Sequence, residues 1–194
     1  MTKALFLDRD GVINVNHGYV YKKSEFDFIE GAFELVKRAN EQGYTTIVVT
    51  NQSGIGRGMY TESDFKSLSA WMIAEFKQRN AHIDDVLFCP HHPDAKLEKY
   101  KKVCTCRKPE AGMLFGAALK HAISLSESIM VGDKLSDVQV AINAGLSEVV
   151  WFNEDFLSSE KLDNARESLS SIDRKGTIIT ISHTLHSVLP SNFI

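Results

Sequence analysis

Phe6-Leu7-Asp8-Arg9-Asp10-Gly11 is the stretch that decides how the rest of this chain is read. The apolar run before Asp8 predicts a short buried strand. Two carboxylates one residue apart follow it, and a glycine comes next. In an extended segment residues i and i+2 project to the same side, so Asp8 and Asp10 are expected to leave the strand end together. Two anions so placed repel, and a hard divalent cation such as Mg²⁺ relieves the repulsion. The same string would suit an ordinary acidic turn, where Asp and Gly are common. The sequence downstream turns it toward chemistry.

Three further polar motifs follow in order. Thr50-Asn51-Gln52-Ser53-Gly54 comes after the β-branched run 45–49. Lys108 sits within Cys106-Arg107-Lys108-Pro109. Gly132-Asp133-Lys134-Leu135-Ser136-Asp137 comes after Ile129-Met130-Val131. Strand signals fall at 4–8, 45–50, 86–88, 129–132, 149–152 and 177–181. Helical periodicity falls at 31–42 (closed by Gly43), 61–80 (opened by Thr61 and Asp64 as a capping box), 111–123, 135–144 (closed by Gly145) and 182–189. Alternating strand and helix predict an α/β fold, a single doubly wound and mostly parallel sheet. In such a sheet ligands bind at the carboxyl ends of the strands, where the Asp-x-Asp, Thr-Asn and Gly-Asp motifs fall. Phe65, Leu68, Trp71 and Met72 repeat at helical spacing and are expected in the core. The Ser- and charge-rich stretch 157–176 reads as a surface helix and loop.

Bulk properties set limits. A chain of 194 residues fits one domain, 1–194, with an ample core. Its net charge of −3, from 22 Lys+Arg against 25 Asp+Glu, argues against a nucleic-acid partner. No apolar run approaches the ~20 residues of a membrane span. A strand signal so close to Met1 leaves no room for a signal peptide. A cytoplasmic, monomeric enzyme acting on a small molecule is the expectation.

All three cysteines fall in one segment, Cys89-Pro90-His91-His92-Pro93 followed by Cys104-Thr105-Cys106. Three cysteines and a histidine form a common closed, tetrahedral zinc set. Cys89 with His91 and Cys104 with Cys106 share an i, i+2 spacing, which favours His91 over His92 as the fourth ligand. His92 is left for the substrate side or for support of the ligands. A structural Zn²⁺ held there would pin a long loop that ends two residues before Lys108.

Taken in order, the Asp-x-Asp, Thr-Asn, Lys and Gly-Asp-x-x-x-Asp motifs resemble those of the haloacid dehalogenase superfamily of phosphotransferases, over roughly residues 4 to 152. The interval between the first two motifs has no space for a separate cap domain, so a shallow, loop-lined site is expected. The cysteine loop, together with Asn16-His17-Gly18-Tyr19 and the run from Thr50 to Gly58, narrows the resemblance to the D-glycero-D-manno-heptose 1,7-bisphosphate 7-phosphatase family. Asn16 departs from the family's usual aspartate and Val12 from its usual threonine.

That resemblance implies a capless, Mg²⁺-dependent phosphatase acting on a sugar bisphosphate, on the way to the activated heptose of lipopolysaccharide or surface glycans. Asp8 would be the nucleophile and Asp10 the general acid and base. Mg²⁺ would be held by Asp8, the Asp10 carbonyl and Asp133. Thr50, the Asn51 N–H and Lys108 would bind the transferring phosphoryl group. Asn16, His17, Gly18, Tyr19, Asn51, Gln52, Ser53, Arg107 and Lys134 would contact the substrate, with Arg107 on the second phosphate. Asp137 would either steady Lys134 and the metal's surroundings or cap its helix. A histidinol-phosphate phosphatase and a zinc-stabilised binding module without catalysis are the alternatives.

Overall fold

The structure, a computed structural model, describes residues 1–189. Six strands run β1 (Ala4–Leu7), β2 (Thr45–Asn51), β3 (Asp85–Cys89), β4 (Ile129–Gly132), β5 (Glu148–Phe152) and β6 (Ile178–Ser182). They form one sheet in the order β3-β2-β1-β4-β5-β6, and every adjacent pair is parallel. The chain builds outward from β1 to β3, then returns to β4 on the other side of β1. The order therefore reverses between β1 and β4, and in open α/β sheets the crevice at such a reversal is where ligands bind.

Helices cover both faces: α1 (Ala32–Glu41), the single turn α2 (Ser53–Gly56), α3 (Glu62–Gln78), α4 (Gly112–His121), α5 (Leu135–Ala144) and α6 (Ser159–Ser170). The predicted capping box at the start of α3 is formed, with Thr61 and Asp64 each accepting from the other's backbone N–H. The period-2 geometry of a strand divides β1 between two cores. Leu5 and Leu7 join the core on one face, Ala4 and Phe6 the core on the other. Burial on both faces explains why the inner strands β1, β2 and β4 are nearly continuous apolar runs, while the edge strands β3 and β6 are only partly buried.

The final segment differs from expectation. The helix predicted over 182–189 is only a turn of 3₁₀ helix, Leu185–Ser187. The Thr184 hydroxyl takes the His186 N–H, an alternative to helical bonding that Ser and Thr offer. Arg38 of α1 takes the carbonyls of Leu185, Val188 and Leu189 at 3.0, 3.1 and 3.2 Å. Those side-chain bonds strap the segment to α1. No helix among the described residues is long and apolar enough to cross a membrane.

Phe76, wholly buried at the end of α3, meets the rings of Phe33 and Phe28 at 4.6 and 5.9 Å. Phe76→Ala removes the centre of this aromatic group, and a loss of about 3–5 kcal/mol is expected in urea unfolding. A loss below about 1 kcal/mol would mean that the group is not a packed part of the core.

Candidate active site

The spacing argument for Asp8 and Asp10 holds only for Asp8. β1 stops at Leu7. The Asp8 N–H still donates to the Val131 carbonyl at 3.0 Å, and the chain then turns about the Arg9 carbonyl, which accepts from Val12, Ile13 and Asn14. Gly11 makes the turn with φ of 97°, and a Cβ there would fall 2.3 Å from Asp133 Oδ2. Only glycine suits both demands. The two carboxylates leave by different routes and keep different company.

Asp8 faces a buried cation. Its Oδ1 accepts the Arg9 N–H at 2.8 Å and lies 3.0 Å from Lys108 Nζ. Lys108 Nζ also pairs with Asp137 Oδ1 at 2.6 Å and donates to the Val49 carbonyl at 3.0 Å. Burial alone would lower the lysine pKa, but the charges of Asp137 and Asp8 outweigh it and hold the ammonium above its ordinary value. The Lys108 backbone is fixed as well. Its N–H donates to Asn51 Oδ1 at 3.0 Å, and its carbonyl accepts from Asn51 Nδ2 at 3.1 Å. Asp137 thus serves twice: one oxygen caps α5 by taking the Lys134 N–H at 3.0 Å, and the other faces Lys108. Its expected link to the Lys134 side chain is replaced by this pairing with Lys108. Close packing enforces the arrangement, since a Cβ on Gly132 would fall 2.1 Å from that of Asp137.

Asp133 is the group left without a counter-charge at bonding distance. Its Oδ1 is buried with no hydrogen-bond partner, and Lys134 Nζ is 3.6 Å from the other oxygen. Burial first, and then the charge of Asp8, push its pKa up to about 7. Oxygens of Asp8, Asp133 and Asp137 lie within 4.8 Å of one another. With Asp137 committed to Lys108, Asp8 and Asp133 form an oxygen-only pair with an unsatisfied atom, which fits a hard cation such as Mg²⁺. The Asp10 side chain is outside this group, so a part for Asp10 in holding the ion falls to its carbonyl.

The Asp10 carboxylate is gripped from three sides. Arg9 Nη2 reaches its two oxygens at 2.8 and 3.0 Å, Asn14 Nδ2 donates to Oδ1 at 3.1 Å, and Gln52 Nε2 to Oδ2 at 3.0 Å. Arg9 is itself buried beside the Phe65 and Phe26 rings and donates to the Val20 carbonyl at 2.7 Å. Neither Arg9 nor Tyr60, whose hydroxyl donates to Gln52 Oε1 at 2.6 Å, is marked by its sequence position. Arg9 looks like a spacer within Asp-x-Asp, and Tyr60 like a turn residue. A buried arginine needs a partner, and that is the only hint the sequence carries.

A cleft of about 350 Å³ opens beside these groups. Asp10, Asn51, Gln52, Ser53, Tyr60 and Lys108 line it, together with Asn16, Gly18, Tyr19, Arg107 and Lys134. Tyr19 holds φ of 55°. Arg107 donates to the His91 carbonyl at 3.3 Å, which ties the cleft to the cysteine loop. The His17 ring pairs with Asp27 at 2.7 Å, half exposed, and is not among the residues lining the cleft. His92 Nδ1 is occupied by the Asp94 N–H at 3.0 Å and lies outside the cleft too.

The cysteine loop brings its four predicted ligands together. Sγ of Cys89 lies 3.5 Å from Cys104 and 3.0 Å from Cys106, Cys104 and Cys106 are 3.3 Å apart, and His91 Nδ1 is 3.3 Å from Cys106. None forms a disulfide. A tetrahedral zinc with Zn–S near 2.3 Å sets sulfurs about 3.8 Å apart, so the group is close to binding dimensions. Burial and the neighbouring thiol of Cys106 push the Cys89 thiol up, the strain that a bound cation removes. The loop also rests on a small core of Ile55, Tyr60, Phe65, Ala95 and Tyr100.

Known proteins carry the same arrangement of sequence and fold. A family model described as HAD-hydrolase-like matches residues 105–165. D-glycero-beta-D-manno-heptose-1,7-bisphosphate 7-phosphatase of Escherichia coli K12 is 45% identical over 164 residues, 84% of this chain and 86% of that protein. The enzyme of the same name from Vibrio cholerae is 46% identical over 143 residues, 74% of this chain and 77% of its own. In three dimensions the chain matches D,D-heptose 1,7-bisphosphate phosphatase from B. bronchiseptica, solved with magnesium and phosphate, with a TM-score of 0.77, 26% identity and 96% coverage of both chains. By this similarity over most of its length, the chain belongs to the D-glycero-beta-D-manno-heptose-1,7-bisphosphate 7-phosphatase family of HAD-like hydrolases.

Proposed function

We propose that the chain removes the 7-phosphate of D-glycero-β-D-manno-heptose 1,7-bisphosphate, as its relatives are named for doing, and so supplies the activated heptose used in surface glycans. The observation that carries the reading is the buried Lys108 held between Asp8 and Asp137 beside Asp133, one of whose oxygens has no partner. A fixed cation and a carboxylate pair open to a hard metal suit the positioning and charge stabilisation on which phosphoryl transfer depends.

Asp8 attacks phosphorus, forming an aspartyl-phosphate as the bond to the sugar oxygen breaks. Asp10 gives its proton to that leaving oxygen, then takes one from the water that attacks the phosphoryl group and frees Asp8. Lys108, Thr50 and the Asn51 N–H bind the equatorial oxygens, where charge spreads. Mg²⁺, held by Asp8, Asp133 and the Asp10 carbonyl, would offset the repulsion between carboxylate and phosphate. Arg107 and Lys134, at the wall of the cleft, suit the phosphate that does not react, Arg107 by a bidentate grip. Cys89, His91, Cys104 and Cys106 would hold Zn²⁺ in a structural role, because four protein ligands leave no position open.

Asp8→Asn is expected to reduce phosphate release from the heptose bisphosphate to background while fold and zinc content stay unchanged. Retained turnover would defeat the covalent route. Histidinol phosphate and the α-anomer, assayed alongside on the unmodified enzyme, test the substrate, and faster release from either would displace the β-heptose assignment.

Chelation with EDTA should stop turnover, and Mg²⁺ alone should restore it with zinc still bound, since one site is all oxygen and the other mostly thiolate. Failure of Mg²⁺ to restore a zinc-replete enzyme would remove Mg²⁺ from Asp8 and Asp133.

The zinc loop and Lys108 can be separated. Lys108→Ala should cost on the order of 2–4 kcal/mol in kcat/KM. Cys106→Ser should lose zinc and loosen residues 89–106 but cost less, because Asn51 and the two aspartates still hold Lys108. Full activity in zinc-free Cys106→Ser would show that zinc does not support Lys108, and a loss equal to that of Lys108→Ala would show that zinc is its main support.

A further inference from the structure

We propose that Tyr60 and Gln52 form a positioning pair that aims, through one amide group, both the acid/base carboxylate of Asp10 and the phosphate-binding hydroxyl of Thr50. The inference rests on the reading of Asp10 as acid and base given above, and it changes the part expected for Gln52 from substrate contact to support.

The geometry fixes the direction of every bond. The Gln52 side-chain nitrogen lies 3.0 Å from Asp10 Oδ2 and 2.9 Å from Thr50 Oγ1. The nitrogen sits between two acceptors, Asp10 Oδ2 and Thr50 Oγ1, so the NH₂ end of the amide faces Asp10. The oxygen end then faces Tyr60, whose hydroxyl lies 2.6 Å away and must donate. Burial keeps that phenol protonated by raising its pKa. Gln52 and Tyr60 are 2% and 6% exposed, so water has little access to replace either bond. Thr50 Oγ1 accepts from Gln52 and donates to no protein acceptor among the described residues, which leaves its hydrogen for a phosphate oxygen.

The Tyr60 ring is itself held. It stacks on Tyr21 with centroids 5.1 Å apart and planes within 7°. It also lies against Gly54, where a Cβ would fall 2.2 Å from the ring. A rigid ring gives its hydroxyl one position, so the amide has one orientation. Without the hydroxyl, Gln52 Oε1 would be buried without a donor and the amide could turn to present oxygen to Asp10. Two acceptors would then face each other, and Asp10 would lose the donor on its Oδ2 side.

The test uses leaving-group dependence, which a purely structural role does not move. The parameter kcat/KM reports steps through departure of the alcohol, where Asp10 gives its proton. Alkyl leaving groups need that proton, and p-nitrophenolate does not. For Tyr60→Phe, which keeps the ring and its stack, kcat/KM on the heptose bisphosphate is expected to fall between about 10- and 100-fold, part of the full effect of a general acid. On p-nitrophenyl phosphate, whose departure needs no acid, the loss should be at least about 5-fold smaller, what remains being the effect on Thr50 that both substrates share. Gln52→Met should show the same split, and the double variant should lose little more than either single one, because the residues act as one unit.

Asp10→Asn sets the reference. If it shows the split and Tyr60→Phe and Gln52→Met do not, or if their losses are equal on both substrates or additive, the pair does not position Asp10. If Asp10→Asn shows no split, the acid/base reading fails and this inference with it. Should Tyr60→Phe prove unfolded by circular dichroism, Gln52→Met decides.

Discussion

The buried ammonium of Lys108 between Asp8 and Asp137 is the contact on which the site is organised. A lysine so enclosed is stable as a cation only with anions beside it, and here both stand at 3.0 Å or closer. The pairing joins the ends of three separate stretches of chain: β1 through Asp8, the start of α5 through Asp137, and the end of the cysteine loop through Lys108. Removing either anion would leave a buried charge with half its compensation. The strand order makes the meeting possible, because β1 and β4 are neighbours at the reversal of the sheet.

Two kinds of restraint meet at this point. Toward the sheet, glycines let backbone and side chain approach more closely than a Cβ permits, at Gly11 against Asp133 and at Gly132 against Asp137. Toward solvent, the cysteine loop is supported by its four-ligand group and by the small core around Tyr100 and Phe65. Tyr60 belongs to that small core and also reaches Gln52. The loop, the Asp10 carboxylate and the Thr50 hydroxyl therefore share one packed unit. The polar groups beside its cleft are held by one another and by the backbone.

Much of this was legible in the sequence, for identifiable reasons. The inner strands are buried and read as apolar runs, and the half-exposed edge strands β3 and β6 still carry enough apolar and β-branched residues to be placed. Asp8, Thr50 and Asp133 follow such runs directly, and the clustering of Cys89, His91, Cys104 and Cys106 needs no fold to be noticed. What escaped were contacts between residues distant in sequence or hidden by local geometry. The turn on the Arg9 carbonyl defeats the i, i+2 rule, since that rule assumes an extended backbone that ends at Leu7. His17 stands in a motif with Asn16 and Tyr19, yet pairs with Asp27, an acid nothing nearby in sequence points to. Asp137 caps its helix, as one of its two readings had it, but its other oxygen pairs with Lys108 rather than with the Lys134 side chain, a partner the sequence does not point to. The terminal helix failed because Arg38, about 150 positions earlier, takes carbonyls that a helix would use.

The two bonds between Asn51 and Lys108 have the form of a rung of sheet. An amide side chain presents one acceptor and one donor, side by side, to the backbone N–H and C=O of a single residue. Asn51 is also the last residue of β2. The sheet is in effect prolonged by one step, with a side chain standing in for a strand, and the lysine is carried on that step as if it were a sheet residue. Aspartate at this position would offer no donor, and glutamine would stand off by a methylene. The identity of residue 51 is thus dictated by carpentry, the fit of one amide to the backbone of Lys108.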